Sequence, residues 1–378
     1  MKIAVVIPYF FPAYVYGGAV FAAYHLSREI SNLEIDVKVL TTNANGDEKL
    51  KFTPNTFTSL DNLQVKYYDK GFLPFFSLKM IFGFYKDLKN VDLVHIQSIY
   101  SLTTPLSLLY AYFLDKPILL SPRGSLTSWS FNHRGFLKKI WIRLLIQSFK
   151  KRIYWHATSK REELEIKVFF PKAKIKLISD GTSLSQKTEY LQINRWENEY
   201  FIACLGRLHS VKGFDILISA MPIILEKYPS LKLFIAGNDE GEQAKLEKLI
   251  SNLNLNQQIK IVGSLDLKDK NAFLKNAQCL VMPSHTENFG IVAVEALLQS
   301  TPVIASKNTP WEILEKEMVG LHVENSRNEL AKAVITILKD VKSYQKNTQK
   351  VVQIFSWKSI ALKYKMVLEE LINQSKTP

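Results

Sequence analysis

Cysteine is nearly absent from this sequence: 378 residues contain only Cys204 and Cys279. Each lies in an apolar, strand-like run, and no Cys-x-x-Cys spacing occurs. The seven histidines are scattered without metal-ligand spacing. A disulfide scaffold and the common zinc modules are thereby excluded, and the two thiols read as buried and free in a reducing compartment. Signature glycine motifs are missing too. There is no Gly-x-Gly-x-x-Gly of a dinucleotide-binding oxidoreductase, no Gly-x4-Gly-Lys-Ser/Thr of a P-loop, and no Gly-x-Ser-x-Gly of a hydrolase. Long hydrophobic runs are lacking as well. Ile3 to Ser27 carries no Lys, Arg, Asp or Glu, but Pro8, Pro12, Gly17 and Gly18 interrupt it. It reads as a buried strand, a glycine loop and a helix rather than a leader or a membrane span.

Acidic residues are missing from one long stretch. The net charge is +14, and from Lys116 to Arg161 the chain has eleven Lys or Arg and no Asp or Glu. Within that stretch Phe136 to Ile146 is apolar around most of a helix, with Lys139, Arg143 and Lys150 on one side of it. A solvated basic face is the ordinary reading of such a run. The mixture of apolar and basic residues also suits an anionic membrane surface or a phosphate-bearing acceptor. No zinc-finger, helix-turn-helix or RNP-type signature accompanies the charge, so nucleic acid is not expected as a partner.

What is present is an alternation of short apolar runs and helical patterns, the mark of parallel α/β sheets. Strands are expected at Lys2–Ile7, Asp36–Thr41, Val65–Tyr68, Leu93–Ile96, Pro117–Leu120, Tyr154–Ala157 and Lys174–Ile178. Helices are expected at Val20–Ile30, Leu102–Phe113 and Gly135–Lys151. The pattern pauses over the polar stretch Ser179–Asn198, a linker that separates a first domain, 1–180, from a second, 199–356. The second series has strands at Tyr200–Leu205, Lys232–Ala236, Ile259–Val262, Cys279–Met282, Pro302–Ala305 and Gly320–Val323. Its first helix contains Pro222, which predicts a kink. An amphipathic helix, 357–374, ends the pattern.

Ligands of such sheets bind beyond the carboxyl ends of the strands, and two loops there stand out. Gly206-Arg207-Leu208-His209-Ser210-Val211-Lys212-Gly213 places two cations five residues apart before a helix. A diphosphate suits that arrangement, since Arg offers a planar fork of donors and Lys a point charge. A basic turn that merely caps the helix is the plainer alternative. The second loop, from Ser284 to Leu297, carries Glu287 and Glu295, eight residues apart. Eight helical residues span about 12 Å, too far for one acid/base dyad but suited to the two ends of an extended ligand. The helix start at Phe289–Ile291 offers backbone N–H groups and a favourable dipole to an anion between them.

These residues, Gly206-Arg207…Lys212-Gly213, Glu287-x7-Glu295 and Thr301-Pro302-Val303-Ile304-Ala305-Ser306, resemble glycosyltransferase family 4. The resemblance is dense from about Tyr200 to Trp311 and looser in the first half, where Gly17-Gly18 and the element order carry it. Ser121-Pro122-Arg123-Gly124 and Thr309-Pro310-Trp311 resemble a bacterial surface-polysaccharide branch of that family. The resemblance implies the GT-B fold: two facing Rossmann-like parallel-sheet domains with an interdomain cleft, and a C-terminal helix that returns to the first domain. It implies that Arg207 and Lys212 hold the donor diphosphate, and that Glu287 meets the donor sugar beside the amides of Asn288, Phe289 and Gly290 at the helix start with Ile291. Glu295 would bind the ribose, Gly237, Val262 and Gly263 would frame the base, and Gly17 and Gly18 would let the first-domain loop close over the phosphates. Many family members have a histidine where this chain has Ser121-Pro122-Arg123-Gly124. Arg123, His133 or His95 are the candidates for that acceptor-side role, although a lone histidine is more often structural.

The implied reaction is retaining transfer of a hexosyl unit from a nucleotide diphosphate sugar to a glycan or lipid-linked glycan, with neither metal nor resident cofactor. The sequence lacks the Asp-x-Asp that holds a divalent ion on a sugar nucleotide. A cytoplasmic enzyme, peripheral at the inner face of the cell membrane, would fit. A sugar phosphorylase or epimerase fits the two loops less well. An inactive sugar-nucleotide-binding subunit that assists a partner transferase is the non-enzyme alternative, and retention of Arg207, Lys212, Glu287 and Glu295 together weighs against it.

Overall fold

In the first strand, Lys2–Tyr9, Ile3, Val5 and Ile7 face one apolar cluster while Ala4 and Val6 face another. A strand buried on both faces this way belongs inside a parallel sheet covered by helices on either side. The computed structural model describes residues 1–71, 75–127, 135–182 and 196–376, and the chain divides into two units. One comprises Met1–Gly181 with Trp357–Pro378, the other Thr182–Ser356.

The first unit holds an eight-stranded sheet. Edge to edge the strands are Lys174–Leu177, Ile153–Ala157, Ile118–Ser121, Leu93–Gln97, Lys2–Tyr9, Asp36–Thr42, Leu63–Tyr68 and Phe57–Leu60. All neighbours are parallel except the last pair. That edge strand was not expected from the sequence, because Phe-Thr-Ser-Leu is too polar and too exposed to read as a buried run. One face is covered by the helix Gly18–Ser31 and by the final helix Trp357–Lys376, whose Ile360, Tyr364, Leu368 and Leu371 are fully buried among Ile3, Leu26 and Ile30. The opposite face is covered by Leu78–Lys89, Thr103–Phe113 and the segment from Gly135 to Phe149, which pack over strand residues such as Val94 and Ile96.

The expected single helix from Gly135 to Lys151 is instead three pieces: an α-helix Gly135–Trp141, a π-turn Ile142–Ile146 and a 3-10 turn Gln147–Phe149. The wide turn accompanies two inward anchors, Ile142 and Ile146, while Trp141 Nε1 donates to the Ile99 carbonyl at 2.9 Å.

The second unit holds six parallel strands in the order Ile259–Gly263, Lys232–Ala236, Phe201–Leu205, Leu280–Met282, Val303–Ser306 and Gly320–Val323. Phe214–Leu225 runs as one helix through Pro222. No helix among the described residues is long and apolar enough to cross a membrane.

Because Leu368 is fully buried in the first unit's core, Leu368→Ala should cost about 3 kcal/mol. Urea denaturation followed by circular dichroism checks this, as a lower midpoint for the transition that reports the first unit.

Candidate active site

In the second unit the strand order reverses at Phe201–Leu205, which pairs with Lys232–Ala236 on one side and Leu280–Met282 on the other. Such a reversal opens a crevice beyond the carboxyl ends, where ligands of open α/β sheets bind. The loops that leave the two strands are Gly206–Gly213 and Pro283–Gly290, the pair that carries the candidate residues.

Two close approaches fix these loops. Gly213 has φ +62°, and a Cβ there would lie 2.2 Å from the Pro283 carbonyl oxygen, so only glycine lets the loops touch. His285 N donates to the Val211 carbonyl at 2.8 Å, a direct backbone tie between them. A Cβ on Gly237 would meet the Gly206 oxygen at 1.8 Å. Gly237 N also donates to the Gly263 carbonyl at 2.9 Å, so the ends of three adjacent strands, at Gly206, Gly237 and Gly263 after Val262, crowd together without side chains.

The charges are then set in place. Lys212 Nζ lies 2.5 Å from Glu287 Oε2, both side chains largely withdrawn from solvent. Arg207 makes a two-pronged contact with Glu240, NH1 to the two carboxylate oxygens at 2.8 and 2.7 Å, out in solvent. Glu295, buried in the helix Ile291–Leu298, is met by Lys270 Nζ at 2.6 Å. Each expected cation thus has a carboxylate partner at hydrogen-bond length.

The helix Ile291–Leu298 begins at Gly290, with φ +77° and a prospective Cβ 2.9 Å from Glu287 Cγ. The N–H groups of Ile291 and Val292, which open the helix just after Asn288 and Phe289, have no acceptor within it, whereas Ala293 N donates back to the Gly290 carbonyl at 2.9 Å. The Phe289 side chain is buried against Trp311 and Phe355, and its carbonyl accepts Trp311 Nε1 at 2.6 Å. Phe289 therefore anchors the loop, leaving only its amide for a ligand. The tripeptide Thr309-Pro310-Trp311 is the brace behind it: Thr309 bonds Ser306 and His322, and Ser306 Oγ donates to the Ser284 carbonyl at 2.6 Å.

The first unit gathers its polar residues at the ends of its own strands. His95 Nε2 lies 2.8 Å from Ser121 Oγ, which lies 2.7 Å from His156 Nδ1, and His156 Nε2 lies 2.7 Å from the Ile178 carbonyl. A consistent proton order has each donor pointing along that chain, with His156 neutral and protonated on Nε2. Tyr364, from the final helix, places its hydroxyl 2.9 Å from the His156 ring nitrogens. Arg123 pairs with Asp180 and also donates to Gln97 Oε1 at 3.1 and 3.3 Å. Burial pushes the His95 imidazole well below its ordinary value and His156 down to about 4. Burial also leaves the Glu162 carboxyl raised, although it accepts from Gly124 N and Thr158 N at 2.7 Å. His95 and Arg123, offered as acceptor-side candidates, therefore sit inside a hydrogen-bonded cluster, and His133 lies outside the described residues. Gly17, with φ +70° and open space around a prospective Cβ, caps the helix that Gly18 begins.

Residues 186–351 match the sequence profile of glycosyl transferases group 1, and residues 16–186 that of glycosyltransferase family 4. The chain belongs to the group 1 glycosyltransferases.

Among the relatives of this chain, an uncharacterized glycosyltransferase of Methanocaldococcus jannaschii is 32% identical over 219 residues, 53% of this chain and 56% of the relative. The 2-deoxystreptamine N-acetyl-D-glucosaminyltransferase of Niallia circulans is 25% identical over 234 residues, 58% of this chain and 59% of that protein. The matches thus span little more than half the length of these relatives. Anabaena HepE, solved in complex with UDP-glucose, shares the fold with a TM-score of 0.74 at 18% identity, covering 98% of this chain and 100% of that one. The fold is GT-B, with a parallel-sheet α/β domain in each half.

The sequence did not single out Lys270, Glu240, His156, Asp180 or Tyr364. Lys270 and Glu240 sit in charge-rich, solvent-type segments, and their partners are 25 and 33 residues away. Asp180 lies in the polar stretch taken as a linker and pairs with Arg123, 57 residues away.

Unfolded, His156 titrates near 6.5; folded, near 4. Between those values the unfolded chain binds a proton that the folded chain excludes, so this group's stabilisation is complete above about pH 6.5 and fades as pH falls towards 4. Glu165, raised to about 7 chiefly by burial, contributes in the opposite sense: its share is present below about 4.5 and lost as pH rises. The wild type and His156→Gln are therefore compared directly. The variant should lose less stability than the wild type between pH 7 and pH 5, read as the change in urea midpoint.

Proposed function

We propose that this glycosyltransferase is a retaining enzyme that moves a hexosyl unit from a nucleotide diphosphate sugar to a glycan or lipid-linked glycan in surface-polysaccharide assembly, without metal or resident cofactor. The observation that carries the reading is the meeting of Lys212 and Glu287 at 2.5 Å, beside a helix N-terminus and at the strand-order reversal. The UDP-glucose bound by HepE and the amino-sugar transfer named for the Niallia relative support a sugar-nucleotide donor.

On this reading the diphosphate takes Lys212 from Glu287 and Arg207 from Glu240, and the released Glu287 turns to the sugar hydroxyls near the reacting carbon. Glu295, steadied by Lys270, takes the ribose hydroxyls. The bond from the anomeric carbon to the phosphate oxygen breaks with its electron pair passing to that oxygen. The acceptor hydroxyl oxygen bonds to the same face of the carbon, and its proton passes to the leaving phosphate. Fixed cations and helix amides aimed at the developing phosphate charge are the largest catalytic contribution expected in such a site.

Turnover is measured as nucleoside diphosphate released from a panel of sugar nucleotides, with a chelator and a glycan acceptor. Lys212→Ala should lower kcat by about 10²–10³-fold, with an unchanged circular dichroism spectrum. Proton NMR should find the donor's anomeric configuration in the product. Near-normal turnover in Lys212→Ala overturns the assignment, and inversion overturns the mechanism.

A further inference from the structure

The first unit has a strand-order reversal of its own. Lys2–Tyr9 pairs with Asp36–Thr42 on one side and Leu93–Gln97 on the other. Beyond the carboxyl end of such a strand an open α/β sheet leaves room for a ligand. The chain departs from that end through Phe10 to Gly17, and the donor reading assigns nothing there before Gly17.

That loop is built of rings. Tyr9 and Tyr16 stack with centroids 4.1 Å apart and planes 20° from parallel, and Phe75 meets them edge-on at 5.4 and 5.5 Å. Tyr14 stands edge-on to Phe11 at 5.4 Å and tilted against Phe21 at 5.5 Å. Tyr9, Tyr14, Tyr16, Phe21 and Phe75 lie outside both apolar clusters of the unit, so their assembly does not serve the core. Tyr14 is 55% exposed and its neighbour Val15 62%. A tyrosine braced on two sides and otherwise open presents a large contact area at little cost in conformational entropy.

The backbone fixes where the rings stop. Gly17 has φ +70° and ψ −147°, a conformation essentially confined to glycine, and the helix Gly18–Ser31 starts at once. Beyond its chain neighbours, no described residue lies within 4 Å of a prospective Cβ on Gly17. Glycine is needed there for the turn and not for crowding, and the space beside the ring loop stays open. The turn between Ala44–Asn45 and Glu48–Lys49 holds Tyr16, since Gly46 N donates to Tyr16 Oη at 2.9 Å. The phenol proton is left to donate to a ligand.

Charge narrows what that ligand is. From Ile3 to Ser27 the chain has no Lys, Arg, Asp or Glu. Lys49 and Lys70, which reach the same region, are engaged at 3.0 Å by Asp69 and at 3.0 Å by the Gly46 carbonyl. Rings with hydroxyls at their margins, on an uncharged segment, suit a molecule with an apolar face and a polar, neutral rim. A pyranose is such a molecule: its axial C–H groups face one way and its hydroxyls ring the edge.

We propose that this ring loop, with Tyr14 as its exposed member, binds a neutral pyranose of the acceptor by stacking against the C–H face of the sugar. The proposal rests on the transferase reading, which requires a second substrate, and it assigns that substrate to residues other than His95, Arg123 and His133. A phosphorylated or carboxylated sugar would find no cation within the loop. An acyl chain would press the phenol hydroxyls of Tyr14 and Tyr16 into an apolar contact without partners.

The test is saturation-transfer NMR of the full chain with the methyl pyranosides of glucose, galactose, mannose and N-acetylglucosamine, with glucose 1-phosphate and with octyl glucoside. At least one methyl pyranoside should receive saturation chiefly at the C–H protons of one ring face. Tyr14→Ala should weaken its binding about fivefold to tenfold, and Tyr14→Phe should retain most of it. Tyr14 is an exposed position, and the circular dichroism of both variants should match the wild type. The proposal is overturned by no transfer to any methyl pyranoside, by transfer that Tyr14→Ala leaves unchanged, or by a preference for glucose 1-phosphate. Saturation confined to the octyl protons overturns it in favour of a lipid portion. Transfer lost in Glu287→Gln but kept in Tyr14→Ala overturns it by placing the sugar in the donor site. The donor reading fails separately, by the absence of any melting shift with nucleoside diphosphates while the ring protons still receive saturation.

Discussion

The backbone contact between Gly213 and Pro283 governs the arrangement of the second unit. A side chain at 213 would strike the Pro283 carbonyl, so the two loops can meet only over a bare Cα. That approach brings Lys212 to Glu287, and the Val211–His285 backbone bond holds the register. The Trp311 brace behind Phe289 then fixes where the helix Ile291–Leu298 begins, and with it where its free amides and Glu295 stand. Charge follows from backbone geometry here.

The Lys212–Glu287 and Arg207–Glu240 ion pairs have a physical consequence. A lysine left alone in a half-enclosed loop would be partly stripped of water without compensation. Pairing it with Glu287 removes that cost and holds both side chains in place. On the proposed donor reading a diphosphate would compete with a carboxylate, and it would bring more charge and more acceptor oxygens to Lys212 and Arg207 than either glutamate does. The exposed Arg207–Glu240 contact is the weaker of the two restraints, being open to solvent and screening.

Much of this was legible in the sequence because the local patterns agree with the tertiary result. The strands from Lys2, Asp36, Leu93 and Lys232 are apolar runs buried on both faces, and the cation and carboxylate loops leave strands at the switch point. What escaped is of two kinds. The edge strand Phe57–Leu60 and the broken helix after Gly135 depend on neighbours rather than on period. The buried cluster of His95, Ser121, His156 and Tyr364 joins four elements, the last of them 208 residues from its partner, and no spacing rule reaches that far. It ties the final helix to the strands of the first unit and takes in His95, one of the acceptor-side candidates, while Arg123 is held beside Asp180 and Gln97.

The most direct measurement is calorimetric titration of the full chain with nucleoside diphosphates in the presence of a chelator. The wild type should bind one of them. Lys212→Ala should weaken that binding at least about tenfold, the effect of losing roughly one charge-assisted hydrogen bond, and Glu240→Gln should tighten it by freeing Arg207. Binding that Lys212→Ala leaves unchanged, or no binding of any nucleoside diphosphate, would contradict the assignment of the donor site.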